Sequence, residues 1–195
     1  RLHAVLSDGG ARASIIPESA TLQLYVRSLY TETLMDLSQR VEDILQGAAL
    51  MTGTAVDAQW DEHPMSLPVR NNATLARRWG ATQASRGRDV LPAGTLPDSQ
   101  AASTDFGNVS HLVPGIHPLV KIAPEGTALH TTDFAAAAIS DQAFEGAFDA
   151  AVGLAQTIAD ILNDPQLLAD AQEEFRLAGG AISVEKLLAG AAEQP

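Results

Sequence analysis

Histidines and carboxylates are concentrated in one stretch of this sequence, Ala102–Ala138. The stretch contains three of the five histidines and three acidic residues: His111, His117, His130, Asp105, Glu125 and Asp133. Its three prolines forbid a continuous helix, because proline lacks the N–H and clashes with the preceding turn. Loops at the ends of buried elements commonly hold reactive groups, so this stretch is the first candidate for chemistry.

His130 is the foremost candidate within the stretch. An imidazole flanked by Thr127, Thr131 and Asp133 suits a metal ligand or a general base. The alternative is a histidine satisfied by a neighbouring carboxylate or carbonyl, which is the commoner situation. A metal site needs three or four converging ligands, and the chain has no His-x-His or His-Glu-x-x-His spacing. The other members of the set, His111, His117, Glu125 and Asp133, could assist, but they form no recognisable motif.

Arg27 is a second candidate. It lies at the end of a predicted strand, on the polar side of that strand. A guanidinium in that position could hold a carboxylate through two hydrogen bonds, or it could be an ordinary solvated charge. Gly10 and Ser14 fall in a loop that is predicted to lie beside it. The sequence contains no phosphate loop, dinucleotide fingerprint or nucleophile elbow.

The composition restricts the kinds of partner and site that this protein can have. The net charge of −12 argues against a nucleic-acid partner, which would require a clustered basic face. The chain has no cysteine, which excludes disulfides and thiolate metal sites and fits a cytoplasmic protein. No apolar run approaches the ~20 residues of a membrane span, so no membrane partner is predicted.

The hydrophobic periodicity of residues 1–62 predicts a β–β–α–β order. Arg1–Leu6 and Glu18–Ser28 alternate as strands do, Thr31–Thr52 carries a helical stripe capped by Thr31 or Thr33, and Thr54–Asp61 alternates again. An additional β–α ahead of Arg1 would complete a ferredoxin-like unit. We therefore expect this chain to be the later part of a longer protein.

Residues 63–195 are predicted to be mainly helical, which makes the chain α+β overall. A linker, His63–Pro68, precedes a helix at Asn71–Ser85 with Asn71 or Asn72 as its cap. The central stretch is predicted as loop, short strand at Leu119–Ala123, loop and helix. Further helices are predicted at Asp141–Leu162, Gln166–Leu177 and from Ser183. One face of the first of these carries Phe144, Phe148, Ala151, Val152, Ala155 and Ile158.

Several short motifs resemble, in combination and order, the zinc-dependent amidohydrolases and peptidases that include aminoacylases, glutamate carboxypeptidases and aminobenzoyl-glutamate hydrolase. Asp8-Gly-Gly10, Ile15-Ile-Pro17 and Tyr25-Val-Arg27 look like the lid domain of this family. Ser103–His111, Pro114–Pro118 and Gly126–His130 look like the end of its catalytic domain, most similar to the aminobenzoyl-glutamate hydrolase branch. The resemblance extends to about Leu162.

This resemblance implies the domain organisation. Residues 1–62 would be an incomplete, ferredoxin-like lid that carries dimer contacts, and residues 63–195 the C-terminal part of an α/β catalytic domain. The complete enzyme would hold two divalent metal ions, zinc or manganese, and form a homodimer. It would hydrolyse the amide bond of an N-acyl amino acid or dipeptide.

The resemblance also implies roles for individual residues. His130 matches the C-terminal metal-ligand histidine, and Arg27 matches the lid arginine that grips the substrate carboxylate. Ser14 and Gly10 fall in the substrate-binding loop of the lid, with Ser14 where many members have a carbonyl-polarising asparagine. The remaining ligands and the general base would lie ahead of Arg1, so the chain would supply at most one metal ligand and no catalytic base. The alternative is a non-catalytic dimerisation or binding module that keeps the lid fold.

Overall fold

The computed structural model describes residues 1–60, 65–95, 104–183 and 185, and the described chain is α+β. Two strands, β1 (Leu2–Asp8) and β2 (Thr21–Val26), precede the helices. The helices are α1 (Thr31–Thr52), α2 (Ala73–Ser85), α3 (Phe106–Ser110), α4 (Thr132–Ala137), α5 (Asp141–Asn163) and α6 (Pro165–Leu177). Of the helices that the structure describes, none is long and apolar enough to cross a membrane.

The two strands form an antiparallel hairpin. Leu2 pairs with Val26, and the ladder runs to Asp8 opposite Thr21, with a register irregularity after Leu6. Both predicted strands are confirmed, although β1 extends to Asp8 and β2 begins at Thr21 rather than Glu18. The Ser7 hydroxyl donates a 3.1 Å hydrogen bond to the Thr21 carbonyl, which helps to hold the irregular end together.

The strand predicted at Thr54–Asp61 is wrong over residues 54–60, which have no regular secondary structure. A strand requires a neighbour for its backbone groups. Within the described residues, β1 and β2 pair only with each other, so this segment has no strand beside it. Instead, the Trp60 indole N–H donates a 2.8 Å hydrogen bond to the Glu42 carboxylate on α1.

Helix α1 has the predicted bounds, and its C-terminal signal is confirmed. Gly53 adopts a φ of 66°, a left-handed conformation that suits glycine and ends helices. The predicted cap is wrong, because Tyr30 occupies the N-cap position and makes no side-chain hydrogen bond there. Leu34 and Val41 on the predicted apolar stripe are buried.

Helices α2, α5 and α6 pack on one another. The Asn72 side chain caps α2 by accepting from the Leu75 N–H, and its amide donates to the Ala171 carbonyl of α6. Ser140 caps α5 as predicted, accepting from Ala143 N–H. Asp164 accepts from the first N–H groups of α6, so α6 begins at Pro165, one residue before the prediction. Local sequence signals therefore locate these helix starts to within about a turn.

In three of the remaining segments the structure differs from the prediction. Leu119–Ala123 is not a strand, since the described residues provide no neighbouring strand for it. Phe106–Ser110 forms a short helix that was predicted as loop. The predicted linker is described from residue 65 onward, and there Leu67 is only 2% exposed, so it is part of the core rather than a free connection. The helix predicted from Ser183 lies almost entirely outside the described residues.

Glu174 on α6 is expected to stabilise the fold through its ionised carboxylate, so its contribution should be lost in acid. Its carboxylate accepts hydrogen bonds from Ala73 N–H at 2.5 Å, Thr74 N–H at 2.9 Å and the Thr74 hydroxyl at 2.8 Å, at the N-terminus of α2. Although partial burial raises the pKa of Glu174, these hydrogen bonds and the charge of Arg77 hold it below its ordinary value of 4.5. The stabilisation is therefore complete above that value and is lost as pH falls through the lower folded-state pKa.

Glu174→Gln is expected to lower the free energy of unfolding at pH 7 by about 1–2 kcal/mol, because a charged acceptor is lost. The difference from the wild type should shrink below the ordinary carboxyl pKa, as measured by urea unfolding across pH 3–7. Glu173→Gln is the matched control, since Glu173 forms an exposed pair with Arg176, and this variant should have a much smaller effect on the free energy of unfolding. Equal effects of the two variants would contradict the assignment.

Candidate functional site

His130 lies at the end of the loop that leads into α4, and its side chain is exposed. Its φ is 62°, and it is the one non-glycine residue with positive φ among those the structure describes. Histidine visits this left-handed region more readily than most residues, but the conformation is still uncommon. Unusual backbone conformations at non-glycine residues are concentrated at functional sites.

The loop around His130 is held by local hydrogen bonds. The Thr131 hydroxyl donates to the Ala128 carbonyl at 2.7 Å and accepts from the Phe134 N–H at 3.2 Å, which caps α4. A turn closed by Thr127 N–H on the Pro124 carbonyl includes Gly126 with a φ of 85°. These contacts fix the backbone on both sides of His130 and leave its imidazole directed to the surface.

The described residues do not form a complete metal site around His130. Within the ranges that the structure describes, no three histidine, aspartate, glutamate or cysteine side chains come together as a metal cage. A lone imidazole does not hold a catalytic divalent ion. Any metal bound at His130 would therefore need ligands from outside the described residues.

His111 is part of the core and does not join His130. It is 5% exposed, and its Nε2 lies 2.9 Å from the Pro68 carbonyl oxygen, to which the neutral ring donates. Burial lowers the pKa of His111, and the nearby Arg70 charge adds to this effect against the opposing hydrogen bond to Pro68. The Nε2 atom of His111 is therefore engaged by a backbone carbonyl, whereas its buried Nδ1 has no hydrogen-bond partner among the described residues.

His117 is also engaged away from His130. Its ring packs on that of Phe106, with centroids 5.4 Å apart, and its backbone N–H donates to the Asn71 side chain at 2.8 Å. His117 thus joins α3 to the segment that begins α2. Glu125 and Asp133 are exposed, on the turn before His130 and in the first turn of α4.

Residues 106–111 bind the segment at 65–70, a role that the sequence analysis missed. Asn108 accepts from Leu67 N–H at 2.8 Å and donates to the Met65 carbonyl at 3.1 Å. Ser110, fully buried, accepts from Arg70 N–H and donates to the Gly107 carbonyl. No local spacing in the sequence predicts these partners, because they lie about 40 residues away in the chain.

Arg27 directly follows β2, next to the start of β1. Its backbone N–H donates to the Arg1 carbonyl at 2.9 Å, and its guanidinium carbon lies 5.2 Å from the centre of the Tyr25 ring. The Arg27 Nε is shielded from solvent, and no acceptor for it is found in the part of the chain that the structure describes. An unpaired buried donor of this kind costs free energy unless an acceptor reaches it.

Gly10 and Ser14 lie on the connection between β1 and β2. Gly10 has a φ of 94° and lies against Pro17, and its N–H donates to the Asp8 carboxylate. Ser14 is exposed, within a turn closed by Ile15 N–H on the Arg12 carbonyl. This connection begins at the end of the hairpin opposite Arg27, and six residues of strand correspond to about 20 Å. The sequence predicted that this loop lies beside Arg27. In the structure the loop begins at the other end of the hairpin.

Comparison with known proteins finds hydrolases of peptides and of acyl amino acids. The chain is 33% identical over 176 residues to the Xaa-Arg dipeptidase of Mus musculus, a match that covers 90% of this chain and 40% of the relative. It is 32% identical over 177 residues to the Xaa-Arg dipeptidase of Homo sapiens, with 91% and 40% covered. One of the subunits of the p-aminobenzoyl-glutamate hydrolase of Escherichia coli is 23% identical over 227 aligned positions, with 90% and 47% covered. No family model matches the sequence.

These similarities define the class of the protein. The chain is a homologue of amidohydrolases and peptidases, among them the Xaa-Arg dipeptidases and aminobenzoyl-glutamate hydrolase. It spans about 40% of the length of the Xaa-Arg dipeptidases that it matches. The resemblance seen in the short motifs is thereby confirmed at the level of the family.

Proposed function

We propose that the chain is the C-terminal portion of a metal-dependent amidohydrolase that cleaves a dipeptide or an N-acyl amino acid. The observation that carries this proposal is the similarity to Xaa-Arg dipeptidase along 90% of the chain. The chain spans less than half of those relatives, so the activity is assigned to a complete subunit that includes further polypeptide. The chain's own residues would contribute substrate binding and one metal ligand.

His130 is proposed as that ligand. An exposed imidazole at the end of a hydrogen-bonded loop is accessible to an ion, and its uncommon φ of 62° is maintained by the surrounding contacts. The metal ions, zinc or manganese, would activate the attacking water and polarise the amide when bound. The described residues fit only one of the ligand positions, and the others would come from the remaining polypeptide.

Arg27 is proposed to bind the carboxylate of the substrate. Its shielded Nε lacks an acceptor among the described residues, and a carboxylate would satisfy it with a charge-assisted hydrogen bond. Ser14 and Gly10 are proposed to line the substrate from the connection between the strands. Arg27 and this loop both belong to the lid, residues 1–62, and would reach a substrate held by the catalytic domain, residues 63–195, of their own or a partner subunit.

A homodimer and a cytoplasmic location complete the proposal. The exposed strands of the lid offer surface for a second copy, and the absence of cysteine fits a reducing compartment. Sedimentation of the complete protein should give twice the subunit mass. Cell fractionation should recover it with soluble cytoplasmic enzymes; recovery in another fraction would contradict the location.

The decisive experiment replaces His130 in the protein encoded by the complete reading frame. His130→Gly removes the imidazole but tolerates the positive φ, so it avoids the strain of about 1 kcal/mol that alanine would introduce. We expect loss of at least one metal ion per subunit, measured by plasma emission spectrometry after gel filtration, and loss of dipeptide hydrolysis. Unchanged metal content would remove His130 from the site.

Two control variants separate metal binding from substrate binding. His117→Asn alters another exposed histidine of the same stretch and should leave metal content and hydrolysis unchanged. Arg27→Ala should retain the metal but raise the KM for a substrate with a free carboxylate by at least about tenfold, since a charged hydrogen bond is lost. A protein that binds neither metal nor dipeptide in its complete form would favour the non-catalytic binding module instead.

A further inference from the structure

The segment that follows α6, residues 178–183, is held against the rest of the fold by an arginine far away in the sequence. The Arg70 guanidinium donates from Nη1 to the Ala178 carbonyl at 2.8 Å and from Nη2 to the Gly180 carbonyl at 2.5 Å. The same guanidinium lies over the Phe175 ring of α6, with its carbon 4.5 Å from the ring centre. A positive charge is also favourable near the last carbonyls of a helix. We call residues 178–183 the strap, and Arg70 is its first support.

The second support is at the far end of the strap, and the near end is built from two glycines. The Ile182 N–H donates to the His111 carbonyl at 2.8 Å. Gly179 has a φ of 105° and Gly180 a φ of 65°, conformations that glycine adopts without a steric penalty. Dihedral changes at two such residues can swing the strap away while α6 stays folded. The strap is therefore a hinged segment with two attachment points.

His111 is buried in surroundings that suit its neutral form. Its Nε2 lies 2.9 Å from the Pro68 carbonyl oxygen, which only accepts, so Nε2 carries the proton of the neutral ring. The other nitrogen, Nδ1, is buried without a partner among the described residues. A second proton would therefore create a buried N–H donor that lacks an acceptor there, in a ring that already feels the charge of Arg70.

The charged groups around His111 do not offset a positive ring. Arg70 is held next to it, since the Arg70 backbone N–H donates to the Ser110 hydroxyl at 2.9 Å. Within the described residues no carboxylate pairs with His111, and the strap itself has no titratable side chain. The other charged side chains on the neighbouring elements are exposed or already paired: Asp105, Glu173, Glu174, Arg176 and Glu185.

We propose that the strap is closed at neutral pH and is released when His111 takes up a proton. The protonated ring would need an acceptor for Nδ1 and would repel the Arg70 guanidinium. Movement of the ring out of its buried position would withdraw the carbonyl that binds Ile182, so both supports of the strap are weakened together. The strap would open in this way whether or not the complete protein hydrolyses peptides.

The direction of the pH dependence follows from the surroundings of the ring. Burial, together with the charge of Arg70, lowers the pKa of His111 below its ordinary value of 6.5, against the opposing hydrogen bond to Pro68. A group with a lowered folded-state pKa stabilises the fold fully above its ordinary value. That stabilisation, and with it the closed strap, is lost as pH falls through the lower folded-state value.

Hydrogen–deuterium exchange of the complete protein measures the opening in peptides that contain the Ile182 amide. Exchange is followed from about pH 5 to about pH 7.5 and is corrected for the intrinsic pH dependence of amide exchange; the Glu174 carboxylate stays ionised in this interval. We expect the protection factor of the strap to fall by at least about tenfold toward the acid end, while α2 and α5 stay protected.

Three variants identify the groups responsible. His111→Gln keeps a side-chain N–H for the Pro68 carbonyl but takes up no proton, so its strap should stay protected over the whole pH interval. His117→Gln is the matched control, since His117 is exposed, and its strap should open as in the wild type. Arg70→Met keeps an apolar stem against Phe175 but removes the donors, so its strap should already exchange rapidly at neutral pH.

A measurement on the wild type keeps the test valid if a variant folds poorly. Nuclear magnetic resonance of the protein labelled with carbon-13 in its histidine rings gives the midpoint at which His111 titrates, and this midpoint should coincide with that of strap opening. Different midpoints, strap protection that does not change with pH, or acid opening of the His111→Gln strap would each overturn the proposal. Loss of protection that spreads to α2 and α5 in the same interval would show general acid unfolding and would overturn it as well.

Discussion

Gly107→Ala is expected to lower the free energy of unfolding by about 3 kcal/mol or more, because the new methyl group has no space. A Cβ on Gly107 would lie 2.9 Å from the Leu67 carbonyl carbon and closer still to its oxygen. Both are backbone atoms, so relief requires that the segment at 65–70 move away from α3. That movement would stretch the hydrogen bonds that the Leu67 and Arg70 N–H groups donate to the Asn108 and Ser110 side chains.

Urea unfolding followed by circular dichroism measures this effect, and Gly47→Ala is its control. Gly47 lies inside α1, and a Cβ there would meet no atom within 4 Å. Alanine is a better helix former than glycine, so this variant should gain about 0.5–1 kcal/mol. Opposite signs for the two glycine-to-alanine changes are thus expected. A Gly107 variant as stable as the wild type would show that α3 does not touch the 65–70 segment.

Gly153→Ala is the second large effect, at the contact of α5 with α2. A Cβ at this position would lie 2.6 Å from Trp79 Nε1 and 3.0 Å from its Cδ1, and closer to the Gln83 amide. Trp79 and Gln83 are 8% and 1% exposed, so neither can swing into solvent. The Gln83 amide also donates to the Asp149 carbonyl at 2.8 Å, which resists its displacement. We expect a loss of about 2–3 kcal/mol.

A double-mutant cycle identifies the cause of the Gly153 effect. Trp79→Phe removes the nitrogen corner of the indole that the new methyl group would meet, and the structure gives that nitrogen no partner among the described residues. The double variant Trp79→Phe/Gly153→Ala should therefore be destabilised by less than the sum of the single changes, with a coupling of about 0.5–2 kcal/mol. Strict additivity would mean that the helices do not approach at this point.

The family assignment and the proposed site depend on different kinds of information. The order of short motifs along the chain indicated the amidohydrolase family, and the comparisons confirm it. Arg27, Ser14, Gly10 and His130 are proposed as site residues of this chain. For those residues the structure contributes the exposed imidazole at positive φ and the shielded guanidinium nitrogen, which are the features that the proposed experiments address.

The sequence by itself determined the long helices α1, α2, α5 and α6 and most of their ends, because these depend on interactions within a few residues. The apolar period of α1, the left-handed Gly53 after it, and the caps Asn72 and Ser140 are all local signals. The hairpin was also predictable, since alternation in two adjacent segments indicates paired strands. These features together were sufficient for an α+β assignment.

Only the tertiary structure decided which groups meet across long separations. In the structure His111 is hydrogen-bonded to the Pro68 carbonyl, Gly107 lies against the Leu67 backbone, and the side of α5 with small residues packs on α2. It also left the 54–60 and 119–123 segments without strand partners in the part of the chain it describes. The physical reason is that a strand or an apolar face is completed by a neighbour, and the identity of that neighbour is not encoded in the spacing of the residues that need it.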